Sequence, residues 1–107
     1  MIRGAVYPVD LGQANRGHEQ RGRRLGLAIS VQQDRWSTAT ILPTSTSARP
    51  AVFRPQLTIA EQATLILIDQ IRTLDTHYIV GNPVDYVARV DLAQVEFALR
   101  RYLGLDL

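Results

Sequence analysis

Outside one segment near the C-terminus, the apolar residues of this chain occur only in short runs rich in strand-forming side chains. Runs that short cannot bury themselves, so they must pair side by side into a sheet. Ala5–Asp10 is rich in strand-forming residues. Residues 25–31 form a brief apolar run, and residues 36–42 carry Trp, Thr, Ser and Ile. All three read as strands. Residues 51–53 lie between Pro50 and Pro55, which permits only a short or edge strand. The apolar run 64–71, broken by Asp69 and Gln70, reads as a central buried strand. Gly81-Asn82-Pro83 marks a turn, and residues 84–87 follow as one more short strand.

The exception is DLAQVEFALRRYLG, residues 91–104. Leu92, Val95, Leu99 and Leu103 recur at helical spacing and define one apolar face. Asp91 is the expected N-cap, with Gln94 completing a capping box. Arg100 and Arg101 suit the negative end of the helix dipole, and Gly104 can terminate it. Several strands followed by one helix predict a mainly β fold, a small curled antiparallel barrel with helical additions.

At 107 residues the chain is expected to be a single domain spanning 1–107, burying roughly two thirds of its surface. It has no cysteine, which excludes disulfides, thiolate catalysis and cysteine-ligated metals. The opening MIRGAVYPVD lacks the apolar centre of a signal peptide, and no apolar run nears the roughly 18 residues of a membrane span. A soluble, cytoplasmic protein is the expectation, with no membrane partner.

Charge is distributed unevenly. All twelve basic side chains are arginine. Residues 1–54 hold eight of them against Asp10, Glu19 and Asp34, a net of +5, whereas residues 55–107 hold four against seven acids, a net of −3. Either the basic half presents a polyanion-binding face, with nucleic acid as the obvious partner, or the surface is simply decorated unevenly.

Three places carry chemistry. The first is RGHEQRGRRLGLAIS, residues 16–30, where arginines crowd around His18 just ahead of a strand. Imidazole, with an ordinary pKa of about 6.5, serves as a general acid or base near neutrality; a surface histidine without a role is the plainer reading. Arg24 stands where loop becomes strand, and its forked guanidinium suits a phosphate or an ion pair with Glu19. The second is PTSTS, residues 43–47, whose hydroxyls fall at a strand end, as phosphate donors or as turn formers. The third is Asp69. A carboxylate within TLILIDQ is costly unless it is paired. It is held either for proton transfer or in a salt bridge with Arg72 or Arg24.

Taken together, RGAVYPVDL, GHEQRGRR, PTSTS, DQIRTLD and the closing helix resemble, in this order, the MazF/PemK-type toxins, mRNA interferases of bacterial type II toxin–antitoxin systems. The resemblance implies an SH3-like barrel of the MazF/PemK/CcdB type with a C-terminal helix. It also implies a homodimer with a basic groove and metal-independent, cofactor-free cleavage of single-stranded RNA. In that reaction the 2′-hydroxyl attacks the adjacent phosphate, leaving a 2′,3′-cyclic phosphate and a 5′-hydroxyl. A base, an acid and positive charge at the phosphorane are required.

By resemblance, one branch of the family assigns catalysis to Arg24 and Ser45, and the PemK-like branch assigns it to His18 and Asp69. The latter also uses an arginine two residues before the aspartate. This chain has Leu67 there, so Arg24 would have to supply the missing charge. It also has Arg24-Leu25 where the family usually has Arg-Pro. Ala51 and Phe53 match RNA-contacting positions, Phe53 as a stacking surface. Glu19, Gln20, Arg21, Arg23, Thr44, Thr46 and Gln70 complete the expected RNA-binding set. The implied partner is an acidic antitoxin segment that covers Arg21, Arg23 and Arg24 and anchors near Phe53. Two alternatives compete: a CcdB-like toxin that cleaves nothing, although LGLDL lacks the tryptophan-bearing tip such toxins use, and an SH3-like RNA- or protein-binding module.

Overall fold

A computed structural model describes residues 1–12, 22–31 and 37–105 of the chain. In chain order these residues form β1 (Ala5–Asp10), β2 (Arg23–Ala28), β3 (Thr38–Ser45), β4 (Gln56–Ile59), β5 (Gln62–Ile66), β6 (Arg72–Asp75), β7 (Asp85–Tyr86) and α1 (Arg89–Leu103). The strands are antiparallel and run β4-β5-β3-β2-β1-β7, with β6 also on β3. Their curl produces a nearly closed barrel.

The long strand β3 makes this possible by changing partners along its length. Thr38 to Ile41 pair with β6, Ile41 to Pro43 with β2, and Thr44 and Ser45 with β5. A strand shared in this way must bend, and the sheet curls with it. The chain after β6 then covers the open edge of β1. Val9 bridges Ile79, and the N–H groups of Val80, Val84 and Val87 donate to the carbonyls of Pro8, Val6 and Gly4 at 3.0, 2.8 and 2.9 Å. This edge crosses β1 so closely that a Cβ on Gly81 would lie 2.8 Å from Cγ of Pro8, a rigid ring.

Successive residues of a strand point to opposite faces, and here both faces are covered. Val6, Leu27 and Leu42 meet Leu57, Ile59, Ile66, Ile68 and Val95 on one side. Ala5, Tyr7, Val9, Ala28 and Ile41 meet Leu11 and Leu74 on the other. Helix α1 lies over the first cluster. Val95 is fully buried, and Leu92, Ala98 and Leu99 pack around it. Burial of a side chain such as Val95 is worth about 1.5–3 kcal/mol. Among the described residues no helix is long and apolar enough to cross a membrane.

The local expectations fare unevenly. Residues 51–53 form a turn, not a strand, closed by the Arg54 N–H on the Ala51 carbonyl at 3.0 Å. The run 64–71 is not one strand. Strand β5 ends at Ile66, and a 3-10 turn, Ile68–Gln70, follows. The reason is that Ile66, Leu67 and Ile68 are all fully buried; the turn rotates all three inward and leaves Asp69 facing out. The helix starts at Arg89, with Ala88 as an N-cap that makes no side-chain cap bond. Asp91 and Gln94 therefore form no capping box. Val87 is tied to the Gly4 carbonyl, so strand passes directly into helix and Asp91 falls inside the first turn, where its charge still favours the dipole. Gly104 ends the helix as expected, in the left-handed region at φ 71°. Leu103, by contrast, is 46% exposed. The short amphipathic strands β4 and β6 carry too few apolar residues to stand out in the sequence.

Candidate active site

The expected site residues that the structure describes lie around the C-terminal end of β3. The β2–β3 ladder ends where Gly26 pairs with Pro43. Just beyond it, the Thr44 hydroxyl donates to the Leu25 carbonyl at 2.8 Å. On the other flank, Thr44 and Ser45 pair with Ile66 and Leu65, and Leu67 N–H donates to the Pro43 carbonyl at 2.9 Å. The end of β3 thus lies between the strand that carries Arg24 and the turn that carries Asp69.

The PTSTS hydroxyls divide by position. Thr44 and Ser45 are buried strand residues, whereas Thr46 is exposed in the bend that follows. Ser45 Oγ accepts the N–H groups of Ser47 and Ala48 at 3.1 and 2.9 Å. These bonds use its lone pairs and polarise its O–H, which stays available as a donor.

Asp69 is exposed, with its carboxylate engaged. Arg54 donates Nε to Oδ1 at 2.9 Å and Nη2 to Oδ2 at 2.8 Å, a bidentate pair. The expected partners, Arg72 and Arg24, are not the ones found. Arg72 lies on β6 and Arg24 on β2, whereas residues 49–54 fold back directly over the 3-10 turn, as the Ile68 N–H on the Phe53 carbonyl at 3.2 Å shows. The hydrogen bonds from Arg54 hold the Asp69 carboxyl below its ordinary range, against a smaller opposing effect of burial. The same bonds raise Arg54 further above its already high value. A carboxylate held ionised in this way is a poor proton donor at neutral pH.

A third element closes the cluster. Tyr102 of α1 meets Phe53 edge to face with ring centroids 5.1 Å apart, and its hydroxyl donates to the Asp69 carbonyl at 3.4 Å. Phe53 is half-buried by this contact and by the core, Ala51 is exposed, and Gln70 closes the 3-10 turn on Leu67. Arg23 and Arg24 are exposed on β2. His18, Glu19, Gln20 and Arg21 lie outside the described residues. Among the described residues, no three His, Asp or Glu side chains come together to hold a metal. Arg54 and Tyr102 escaped the sequence reading. The one available signal was chemical, since an acid in an apolar run demands a cation, but nothing in the sequence says which.

Comparison with known proteins places this architecture. The family model of the PemK-like, MazF-like toxins of type II toxin–antitoxin systems matches residues 2–103. A Mycobacterium tuberculosis protein named as a candidate toxin, Rv3098A, is 57% identical over 105 residues, covering 98% of this chain and 99% of that one. MazF from Deinococcus radiodurans superposes with a TM-score of 0.80 at 24% identity, over 94% of each chain. An endoribonuclease from a mycobacterial species, solved with its cognate antitoxin, superposes with a TM-score of 0.79 at 21% identity, over 100% of this chain and 98% of that one. By its family match and its close relative, this chain belongs to the PemK-like, MazF-like toxins of type II toxin–antitoxin systems.

Proposed function

We propose that this toxin is an endoribonuclease that cleaves single-stranded RNA by transesterification, as a homodimer restrained by an acidic antitoxin. The observation that supports the reading is the contact between the Thr44 hydroxyl and the Leu25 carbonyl, whose chain neighbours are Ser45 and Arg24; of these last two we assign the phosphate contacts first to Arg24 and then to Ser45. One offers a forked cation and the other a polarised hydroxyl, the pair of donors a pentavalent phosphorane needs.

In this reading the 2′-hydroxyl attacks the adjacent phosphorus, and the bond to the 5′-oxygen breaks. The products are a 2′,3′-cyclic phosphate and a 5′-hydroxyl. Arg24 stabilises the charge that develops on the phosphoryl oxygens, with the Ser45 O–H donating to one of them. His18 supplies the imidazole of the set, the commonest general acid–base side chain; it takes the 2′-proton and returns it to the leaving 5′-oxygen. Asp69, bound at both oxygens by Arg54, does not move protons. Arg23, Arg21, Glu19, Gln20, Thr44, Thr46, Ala51, Phe53 and Gln70 complete the proposed RNA-binding set. The mycobacterial endoribonuclease solved with its antitoxin and the Deinococcus radiodurans MazE–MazF complex support the antitoxin as partner. An acidic segment answers the +5 charge of residues 1–54.

The test is incubation of the purified protein with a long single-stranded RNA in EDTA, followed by end mapping. Cyclic or 3′-phosphate ends with 5′-hydroxyl partners are expected. Intact RNA, or 5′-phosphate ends, would overturn the reading.

A further inference from the structure

We infer that Arg54 and Asp69 are positioning residues, a latch that holds the β3–β4 loop in the conformation that receives the RNA strand. The inference rests on the ribonuclease reading for its ligand, but its geometry is independent of it.

Residues 46–55 leave the end of β3 and carry Thr46, Ala51 and Phe53. Both ends of this loop are anchored through the backbone. Ser45 Oγ binds the N–H groups of Ser47 and Ala48 at the start. At the finish, the carbonyls of Phe53 and Pro55 accept Ile68 and Ile66 N–H at 3.2 and 2.9 Å. The middle stretch differs. Arg49, Pro50, Ala51 and Val52 are all exposed, Val52 to 88%. Among the described residues, the hydrogen bonds that reach the carbonyls of this stretch come from Arg54. Its backbone N–H donates to Ala51 at 3.0 Å and its Nη1 to Arg49 at 3.0 Å.

The guanidinium can hold the Arg49 carbonyl because Asp69 fixes its plane. With Nε and Nη2 both on the carboxylate, the guanidinium plane is set, and Nη1 donates to the Arg49 carbonyl. Asp69 in turn belongs to a 3-10 turn whose Ile68 is fully buried in the core, so the latch is built on a rigid base. Tyr102 closes the other side by covering Phe53 and reaching the Asp69 carbonyl. A loop fixed before RNA arrives binds without the entropic cost of ordering it then. An exposed stretch with so few backbone bonds gains most from such fixing.

The test uses the full-length protein with Asp69→Asn and Arg54→Lys. Lysine keeps the charge but cannot span two carboxylate oxygens and a carbonyl as a planar fork does. In both variants the backbone amide at position 54 should exchange hydrogen at least tenfold faster, while amides of the β1–β2 ladder keep their rates. Affinity for a 2′-O-methylated single strand, which cannot be cleaved, should fall about tenfold. On cleavable RNA the loss should appear mainly in KM rather than in kcat. Unchanged exchange and unchanged affinity would remove the latch. A loss confined to kcat would place the pair on the reacting phosphate and overturn the positioning role. If the wild-type protein cleaves no RNA, the ribonuclease reading fails by itself, and the exchange measurement still decides the latch.

Discussion

Arg54 holds both oxygens of Asp69, at 2.9 and 2.8 Å, from the far side of a hairpin. The aspartate that the family resemblance marks as catalytic thus has both carboxylate oxygens engaged by one arginine. The consequence is electrostatic. The bonds that orient the carboxylate also favour its ionised form.

The pH dependence of stability follows from that depression. Because the folded pKa lies below the unfolded value, near 3.9, the pair stabilises the fold above that value. The contribution disappears as pH falls through the folded pKa. Asp69 is partly exposed, so solvent screening reduces its worth to about 1 kcal/mol, a shift of about 4 °C in Tm. Wild type should melt higher than Asp69→Asn at pH 7, and the two curves should converge on acidification below about pH 4. A gap that persists undiminished at low pH would show that the pair is not its source.

Arg24→Ala should reduce RNA cleavage by about 10²-fold or more, since it removes charge stabilisation in the transition state. Arg24 is exposed on β2, and such substitutions usually change stability by less than about 0.5 kcal/mol. Circular dichroism melting beside a single-turnover cleavage assay separates the two effects. A folded variant with near-native rates would remove Arg24 from the mechanism.

Ser45→Ala should act on both stability and rate. It leaves the part-buried N–H groups of Ser47 and Ala48 without their acceptor, at a cost of about 1–2 kcal/mol, and it removes a donor to the phosphoryl oxygen. Ser45→Thr keeps the hydroxyl and should restore most of each. If Ser45→Ala lowers the urea midpoint while single-turnover rates hold, Ser45 is a turn former alone.

The β4–β5 hairpin carries correctable strain. Its two loop residues, Ala60 and Glu61, both sit at positive φ, 49° and 67°, the pattern of a turn that favours Asn-Gly. The Asp85 carboxylate steadies it by accepting the Ala60 N–H at 2.8 Å. The double change Ala60→Asn, Glu61→Gly should raise stability by about 1 kcal/mol, read as a higher urea midpoint with unchanged slope. A lower midpoint would show that the native pair is already at ease there.

Strand content was legible where apolar runs were dense, as in Ala5–Asp10, and illegible where strands were short and half polar, as in Gln56–Ile59 and Arg72–Asp75. Ile66, Leu67 and Ile68 show why a continuous run can mislead. They are buried together by a change of direction rather than by one strand with both faces covered. The candidate site was legible only as a set of residue types; the segments that hold Arg24, Ser45 and Asp69 meet near one end of β3. His18 and its loop lie outside the described residues.

What this sequence determined by itself was local: the period of Leu92, Val95 and Leu99, the glycine that ends α1, and the density of strand-forming side chains in β1. Such signals depend on neighbours a few positions apart and on the steric limits of each residue, so they survive without the rest of the chain. The tertiary structure decided which arginine meets Asp69, which carbonyl receives the Thr44 hydroxyl, and that Tyr102 covers Phe53. Those partners lie 15, 19 and 49 positions apart. Only the bend of β3 and the packing of α1 across the sheet bring them within reach, because a hydrogen bond or ring contact selects by distance in space, to which spacing along the chain gives no guide.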